Sequence, residues 1–323
     1  MSGFRHEALL YRGAAGFVQA VTPIVRDALD RGESVLVAVP EPKARALRPT
    51  LPVDSVDSGQ VTLVDMAAAG RNPARSVSIW HQFARQARPP EQRLGIAELV
   101  WAERTADEII ECQHAEAVLN LVLAGSSLSL TCAYDTAELA ATDIKDAAHH
   151  HLGIASMIGE VRFPEPALPE PPTQLSVDYQ FGGGDLQQIR EYVGIQATAF
   201  LVERLQVHDL VLAVNELATN SIRHGGGRGR LRIWLMPDSL LCEVSDAGLL
   251  DQPLAGMCPP SSTGDGGAGM WLVHQICDLV QVRSSEQDGT VVRLTMHRNH
   301  RPAGGDLSDL HLGVPSIQEK QHD

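Results

Sequence analysis

The chain has 323 residues, more than one hydrophobic core ordinarily serves, so two domains are expected. Its apolar fraction of 44% and charged fraction of 20% are those of a soluble globular protein. A formal net charge of -14 speaks against coating nucleic acid, which needs a basic stripe, and against adhesion to anionic membranes. No apolar run reaches bilayer length, and no basic stretch leads into an apolar core near residue 1, so neither a membrane span nor a signal peptide is expected. The five cysteines (Cys112, Cys132, Cys242, Cys258 and Cys277) form no C-x-x-C pair, which fits a reducing, cytoplasmic setting. Lysine occurs only at 43, 145 and 320, and no Gly-Lys-Ser/Thr exists, which rules out a Walker A loop.

In chain order, residues 1–161 alternate strand-like and helix-like stretches. SVLVAVP (34–40), VTLVDM (61–66) and SLSLTCAYD (127–135) are continuous apolar runs suited to buried parallel strands. Between them FVQAVTPIVRDALDRG repeats apolar residues at three and four, and DEIIECQHAEAVLNLVLAG predicts a helix ending at Gly125. The expectation is an α/β domain with helices on both faces of a mostly parallel sheet. RFPEPALPEPPTQ (162–174) holds five prolines and reads as an extended linker, set at 162–175. Residues 176–298 have a different order. VDYQF (177–181) predicts a strand and Asp185 a helix cap, with helices to about Glu203 and from about Val207 to Arg223. RLRIWLM (230–236) and LLCEVSD (240–246) predict strands joined at PDS, and GMWLVHQICDLV (269–280) a helix. QVRSS and TVVRLTM predict a final hairpin around EQDG, giving an α+β domain. Residues 299–323 are polar and aperiodic and are expected to be disordered.

VNELATNSIRHG (214–225) places Glu216 and Asn220 one turn apart on a helix whose opposite arc is Leu210, Val211, Val214, Leu217 and Ala218. The spacing alone is cheap: EAVLN repeats it at Glu116 and Asn120, where a packed helix face is the preferred reading. Three short runs downstream of the second copy separate the two. DAG (246–248) closes a strand, where Asp246 can accept from an exocyclic amine and Gly248 lets the backbone approach a flat ring. GGAG (266–269) opens a helix whose N–H groups suit a phosphate. GT (289–290) begins a late strand with a hydroxyl at Thr290.

This order resembles the GHKL ATPases and their Bergerat fold over about residues 176–298. NELATNSIRHG stands as the N box, and SDAGLLD and GGAGMWLVHQICD as the glycine boxes. Within that family the stretch is most similar to the anti-sigma-factor serine kinases of the RsbW and SpoIIAB type, in an actinobacterial form. The resemblance implies ATP and Mg2+ as cofactors and Glu216 as general base. It implies Asn220 as the metal ligand through its amide oxygen, and His224 near a phosphate. Asp246, Gly248 and Thr290 would be at the adenine, Gly267 and Gly269 at the phosphates, and residues 249–266 a mobile lid. Such kinases often carry Arg where this chain has Ala268. A histidine kinase would need an acceptor His before the N box, and the one candidate, His208, lies on the N-box helix itself.

RHEALLYRG (5–13), DMAAAGRNPARS (65–76), ELVWAERTADEIIECQHAEAVLN (98–120) and CAYD (132–135) resemble the MEDS sensory domain. The resemblance implies a RecA-like α/β layer without a working P-loop. In relatives a His is expected next to the Glu of the ECQHAEAVLN helix. Here Ala115 holds that place and His114 lies about 100° away. HHH (149–151) lacks ligand spacing, and Cys112 and Cys132 read as buried structural thiols, so neither is taken as a site.

Taken together, the resemblances imply a kinase that uses Mg-ATP on a serine or threonine of a STAS-domain anti-anti-sigma factor. It would sequester a sigma factor, form a homodimer, and answer to a small-molecule signal at the MEDS domain. The alternatives are a catalytically silent anti-sigma clamp and a stand-alone sensor whose ATPase-like domain only dimerises.

Overall fold

The structure is a computed structural model that describes residues 3–88, 90–151, 164, 168–171, 173–252, 254–260 and 267–298, with only the backbone for 146–150. The expected tail at 299–323, part of the expected linker (162–163, 165–167 and 172) and the end of the expected lid (261–266) lie outside the described residues.

The N-terminal domain runs β1 (Arg5–Tyr11), α1 (Gly13–Asp30), β2 (Ser34–Val39), α2 (Glu41–Leu47), α3 (Val53–Asp57), β3 (Val61–Asp65), α4 (Met66–Ala69), α5 (Pro73–Arg85), β4 (Arg93–Ala97), α6 (Ala106–Val122), β5 (Leu128–Asp135) and α7 (Ala141–His151). All five strands pair in parallel, in the order β1-β5-β4-β2-β3. One face packs Phe17, Val21 and Val25 of α1 and Leu47 of α2 against the sheet. The other packs Val77, Trp80 and Phe83 of α5 and Ala115, Val118 and Leu119 of α6. Both faces are covered, so β2 reads as an unbroken buried run rather than an alternating one. The expected α/β layer is what forms. Strands β1 and β4 are additions to the expected set: β4 has only five residues, and β1 exposes four of its seven, so neither makes a long apolar run. The helix expected to reach Gly125 stops at Val122.

The C-terminal domain runs β6 (Leu175–Gly182), α8 (Leu186–Phe200), α9 (Arg204–His224), β7 (Arg228–Leu235), β8 (Ser239–Asp246), α10 (Ala268–Ile276), β9 (Leu279–Ser285) and β10 (Gly289–His297). Its strands are all antiparallel, in the order β6-β7-β8-β10-β9. The three helices share one core with the sheet: Ile189 and Val193, Leu210, Val214 and Leu217, and Met270 and Val273 meet Ile233, Cys242 and Leu294. On the opposite face Glu243, 1% exposed, accepts from both Arg232 and Arg293, and Arg293 Nη1 also donates to Pro169 O at 2.8 Å. A buried carboxylate clamped by two guanidinium forks is compensated, whereas removing one partner would strand a charge.

Two local expectations change. The helix expected over 269–280 ends at Ile276, because Asp278 N–H pairs with Thr295 O and carries the chain into β9. An apolar run such as LVHQICDLV does not distinguish helix from strand by period. Asp185 does not cap α8 through its side chain; its Oδ2 accepts from Gly182 N–H at 2.7 Å and closes the preceding turn.

The two domains are in close contact. Asn72 and Arg75 donate to His274 O at 3.0 and 3.1 Å, and Arg75 Nη2 reaches Cys277 O at 3.1 Å. Ser78 Oγ donates to Met257 O at 2.9 Å, and Met257 is buried among N-terminal core residues. Arg283 and Glu111 form a buried ion pair at 2.9 Å.

Candidate functional site

A cavity of about 510 Å³ opens between α9, the ends of β8 and β10, the segment after β8 and the start of α10. Asn220, His224, Asp246, Gly248, Gly267, Gly269 and Thr290 all line it. Seven of the eight residues singled out from the sequence therefore meet in one place. The eighth, Glu216, is not among the lining residues. It lies beside the first turn of α10, where a Cβ at Gly269 would stand 2.8 Å from Glu216 Oε2. Gly269 is thus needed for the approach of α10 to α9, as well as for any open N–H group.

Asp246 is the best-determined group in the cavity. Its Oδ2 accepts from Ser221 Oγ at 2.5 Å and its Oδ1 from Gly248 N–H at 2.9 Å. Three glycines surround it. A Cβ at Gly225 would fall 2.3 Å from Asp246 Cγ, one at Gly248 2.6 Å from His224 O, and one at Gly289 2.1 Å from Asp246 O. Gly289 also has φ +74°, a left-handed conformation that side chains resist. The strand end, the helix end and the late turn therefore meet more closely than any Cβ would allow. Across the β8–β10 pair Thr290 is the partner of Asp246; its Oγ1 donates to Gly248 O at 2.9 Å and lies 2.8 Å from Ser284 Oγ. Leu250 N–H in turn donates to Ser284 Oγ at 2.9 Å, which fixes where the segment after β8 departs.

Ser221, Gly225 and Ser284 are site residues that the sequence motifs do not single out. Leu217, Ser221 and Gly225 recur at every fourth position of α9, the helical stripe beside Asn220 and His224, and that spacing is the signal that could have found two of them. Ser284 has no linear signal, because it reaches the site through the β9–β10 pairing.

At the other wall Gly267, φ +83°, is the N-cap of α10 and lets the chain turn into the helix. The first turn of α10 then presents unpaired N–H groups and a positive helix end toward the cavity. Among the described lining residues there is no Arg or Lys, while Asp246 and Asp251 are both present. A polyanion here needs its charge balanced by a bound cation. Asn220, whose amide oxygen is a hard neutral donor, suits Mg2+ in that place. The observed geometry fits a flat ring at Asp246 and phosphates at Gly267–Gly269: the cleft is roomy, its floor is glycine, and its far end is a helix N-terminus.

Residues 5–152 match the family model described as MEthanogen/methylotroph, DcmR Sensory domain, and residues 184–296 match the model described as Histidine kinase-like ATPase domain. The chain thus joins a MEDS domain to a histidine kinase-like ATPase domain. No curated protein matches it. Among solved structures, the Acinetobacter baumannii histidine kinase AdeS is 12% identical over 50% of this chain and 87% of that chain, with a TM-score of 0.22. Among the described residues no helix is long and apolar enough to cross a membrane.

Proposed function

We propose that this chain is a sensor-coupled switch kinase. It binds Mg-ATP in the C-terminal cavity, phosphorylates a serine or threonine of a STAS-domain anti-anti-sigma factor, and sequesters a sigma factor, all in the cytoplasm. The observation that carries the nucleotide reading is Asp246, held by Ser221 and Gly248 and walled by three glycines, facing the open end of α10. Asp246 accepts from the adenine amine, with Thr290 bracing the same wall. Asn220 would ligate the metal, Gly267 and Gly269 would donate N–H groups to phosphate oxygens, and His224 would stand near a phosphate. When bound, ATP with Mg2+ supplies the transferable phosphoryl group. Glu216 would take the proton of the acceptor hydroxyl as that oxygen bonds the γ-phosphorus, while the bond from the γ-phosphorus to the bridging oxygen breaks and ADP leaves.

Two further observations support regulation by the MEDS domain. Helix α10 is nine residues long, about 13 Å. Its first turn opens on the cavity, and its last carbonyls are held by Asn72 and Arg75 of the MEDS domain. A cation at a helix C-terminus is favourable, so the sensor grips the end of the helix opposite the phosphates. The lid is tied to the same partner through Met257, and Gly256, φ +77°, lies against Met270 of α10. A signal that shifts α5 therefore acts on the lid and on α10 together. Exposed Ile195, Val202 and Leu205 on and beside α8 and α9 offer an apolar surface for a protein partner or a second copy.

Incubating the full chain with labelled ATP and candidate STAS proteins tests the enzyme reading. Transfer to a STAS serine or threonine is expected, and its loss in Glu216→Ala with ATP still bound. ATP binding without transfer to any STAS partner would overturn it. That result would favour the second reading, a catalytically silent clamp. Its support is Ala268 at the first position of α10 and the lack of Arg or Lys among the described cavity residues.

A further inference from the structure

The MEDS domain holds a second polar cluster, independent of the nucleotide site. In the β1–β5 pair Ala8 is the partner of Cys132, so His6 and Cys132 share one face of the sheet two positions apart. His6 Nδ1 lies 2.9 Å from Asn120 Oδ1, and His6 Nε2 lies 3.1 Å from Cys132 Sγ. An amide oxygen can only accept, so the proton sits on Nδ1, and the lone pair of Nε2 faces the thiol. His151, at the end of α7, brings its ring to 4.2 Å from that of His6. One ligand atom from each of His6, Cys132 and His151 lies within 4.8 Å of the other two.

The surroundings add a second observation. Glu116, 1% exposed, accepts from the Tyr134 hydroxyl and pairs with the Cys132 thiol, yet among the described residues no lysine or arginine forms an ion pair with it. A buried carboxylate against the thiol of this cluster, with no lysine or arginine paired to it among the described residues, is the charge environment that a bound cation completes.

We propose that His6, Cys132 and His151 form a binding site for a thiophilic divalent ion of the zinc class. Its fourth position is open to water or to a ligand donor atom. The donor set is two imidazole nitrogens and one thiolate, which selects zinc over magnesium or calcium. Asn120 acts behind His6, fixing its tautomer as outer-sphere partners of metal-bound histidines do. On binding, the Cys132 thiol gives its proton to solvent and its sulfur bonds the metal. The charges then close: the ion carries two positive charges, against one on the thiolate and one on Glu116. A tetrahedral site of these donors has edges of about 3.3–3.6 Å. The His6–Cys132 edge is already near that, and the triad contracts by no more than about 1.5 Å around the ion.

The test uses full-length, untagged protein freed of metal by a chelator that is then removed. Zinc is titrated against a chromophoric competitor, and cobalt(II) serves as the spectroscopic probe. One zinc per chain and a sulfur-to-cobalt charge-transfer band with strong four-coordinate visible bands are expected. Cys132→Ser should abolish that band and weaken zinc binding roughly 100-fold, and Asn120→Ala should weaken it roughly 10-fold. Cys112→Ala, whose thiol donates to Leu99 O outside the cluster, should keep both signals. If Cys132→Ser does not fold, His6→Gln decides: the thiolate band should remain while the visible bands shift. A cobalt complex without a thiolate band, zinc affinity unchanged in Cys132→Ser, or visible bands unchanged in His6→Gln would overturn the proposal.

Discussion

Two helices of this chain carry a glutamate and an asparagine four residues apart, and the fold uses them in opposite ways. On α6, Glu116 and Asn120 point into the domain, 1% and 3% exposed, and meet a tyrosine, a cysteine and a histidine. On α9, Glu216 and Asn220 are only part-buried and stand at or beside an open cavity. The spacing is the same, so it decides only that the two side chains share a helix face. What the face meets is decided elsewhere: by His6 and Cys132 on neighbouring strands in one case, by Asp246 and the start of α10 in the other.

The comparison can be broken by paired substitutions. The largest effect is expected at Glu216. Its replacement by Gln should lower phosphoryl transfer by roughly 10²–10⁴-fold with little change in unfolding, as measured by single-turnover transfer beside a denaturant titration. Glu116→Gln should do the reverse, stabilising the metal-free chain at pH 8 by about 1–3 kcal/mol, because it removes a carboxyl that burial pushes up to about 7. A stability gain at Glu216 or a loss at Glu116 would contradict the distinction. Next in size is Gly289→Ala, where a Cβ would fall 2.1 Å from Asp246 O at positive φ. A loss of about 2–3 kcal/mol is expected, read from the denaturation midpoint.

A smaller effect sharpens the link between the domains. A double-mutant cycle of Glu111→Gln and Arg283→Met should give a coupling energy of about 1–3 kcal/mol, and additive behaviour would remove this pair from any path between sensor and cavity. The smallest effect is the pH slope. Burial pushes Glu98, Glu111 and Glu116 each up to about 7, so the folded state binds protons that the unfolded chain has released. Their contribution is full below about 4.5 and is lost as pH rises through about 7. Burial, with His114 and Arg75 nearby, pushes His274 down to about 3. Its contribution is full above about 6.5 and is lost as pH falls toward 3. Burial also pushes His81 and His297 down, so below about pH 6.5 three imidazoles oppose the carboxyls. Above that the raised carboxyls act alone, so the denaturation midpoint should fall from about pH 6.5 to 8. The fall should be smaller in Glu116→Gln.

The C-terminal cavity is legible in the sequence because its parts are short runs in a fixed order, and seven of the eight residues read from them line one cavity. The runs record the backbone constraints as well: Gly248 and Gly289 are glycine because the chains meet there below Cβ distance. The MEDS cluster is not legible in the same way. Cys132 and Asn120 lie 126 and 114 positions from His6, and no linear spacing records a strand pairing or the docking of a helix end. EAVLN reads as a packed helix face and it is packed, but the face is polar. The HHH run lacks ligand spacing because adjacent residues cannot share a helix face; one of the three, His151, is enough to reach His6. The contact of Arg75 with the end of α10 is equally hidden, since it pairs a side chain with backbone carbonyls 199 and 202 positions away.

The central claim is that Asp246 and its glycine walls form a nucleotide site. Calorimetric titration of Mg-ATP into the full chain and into Asp246→Ala tests it most directly. One saturable site is predicted, weakened at least roughly 100-fold in the variant because a buried polar contact is lost. Failure of the unmodified chain to bind Mg-ATP, or equal affinity in Asp246→Ala, would contradict it.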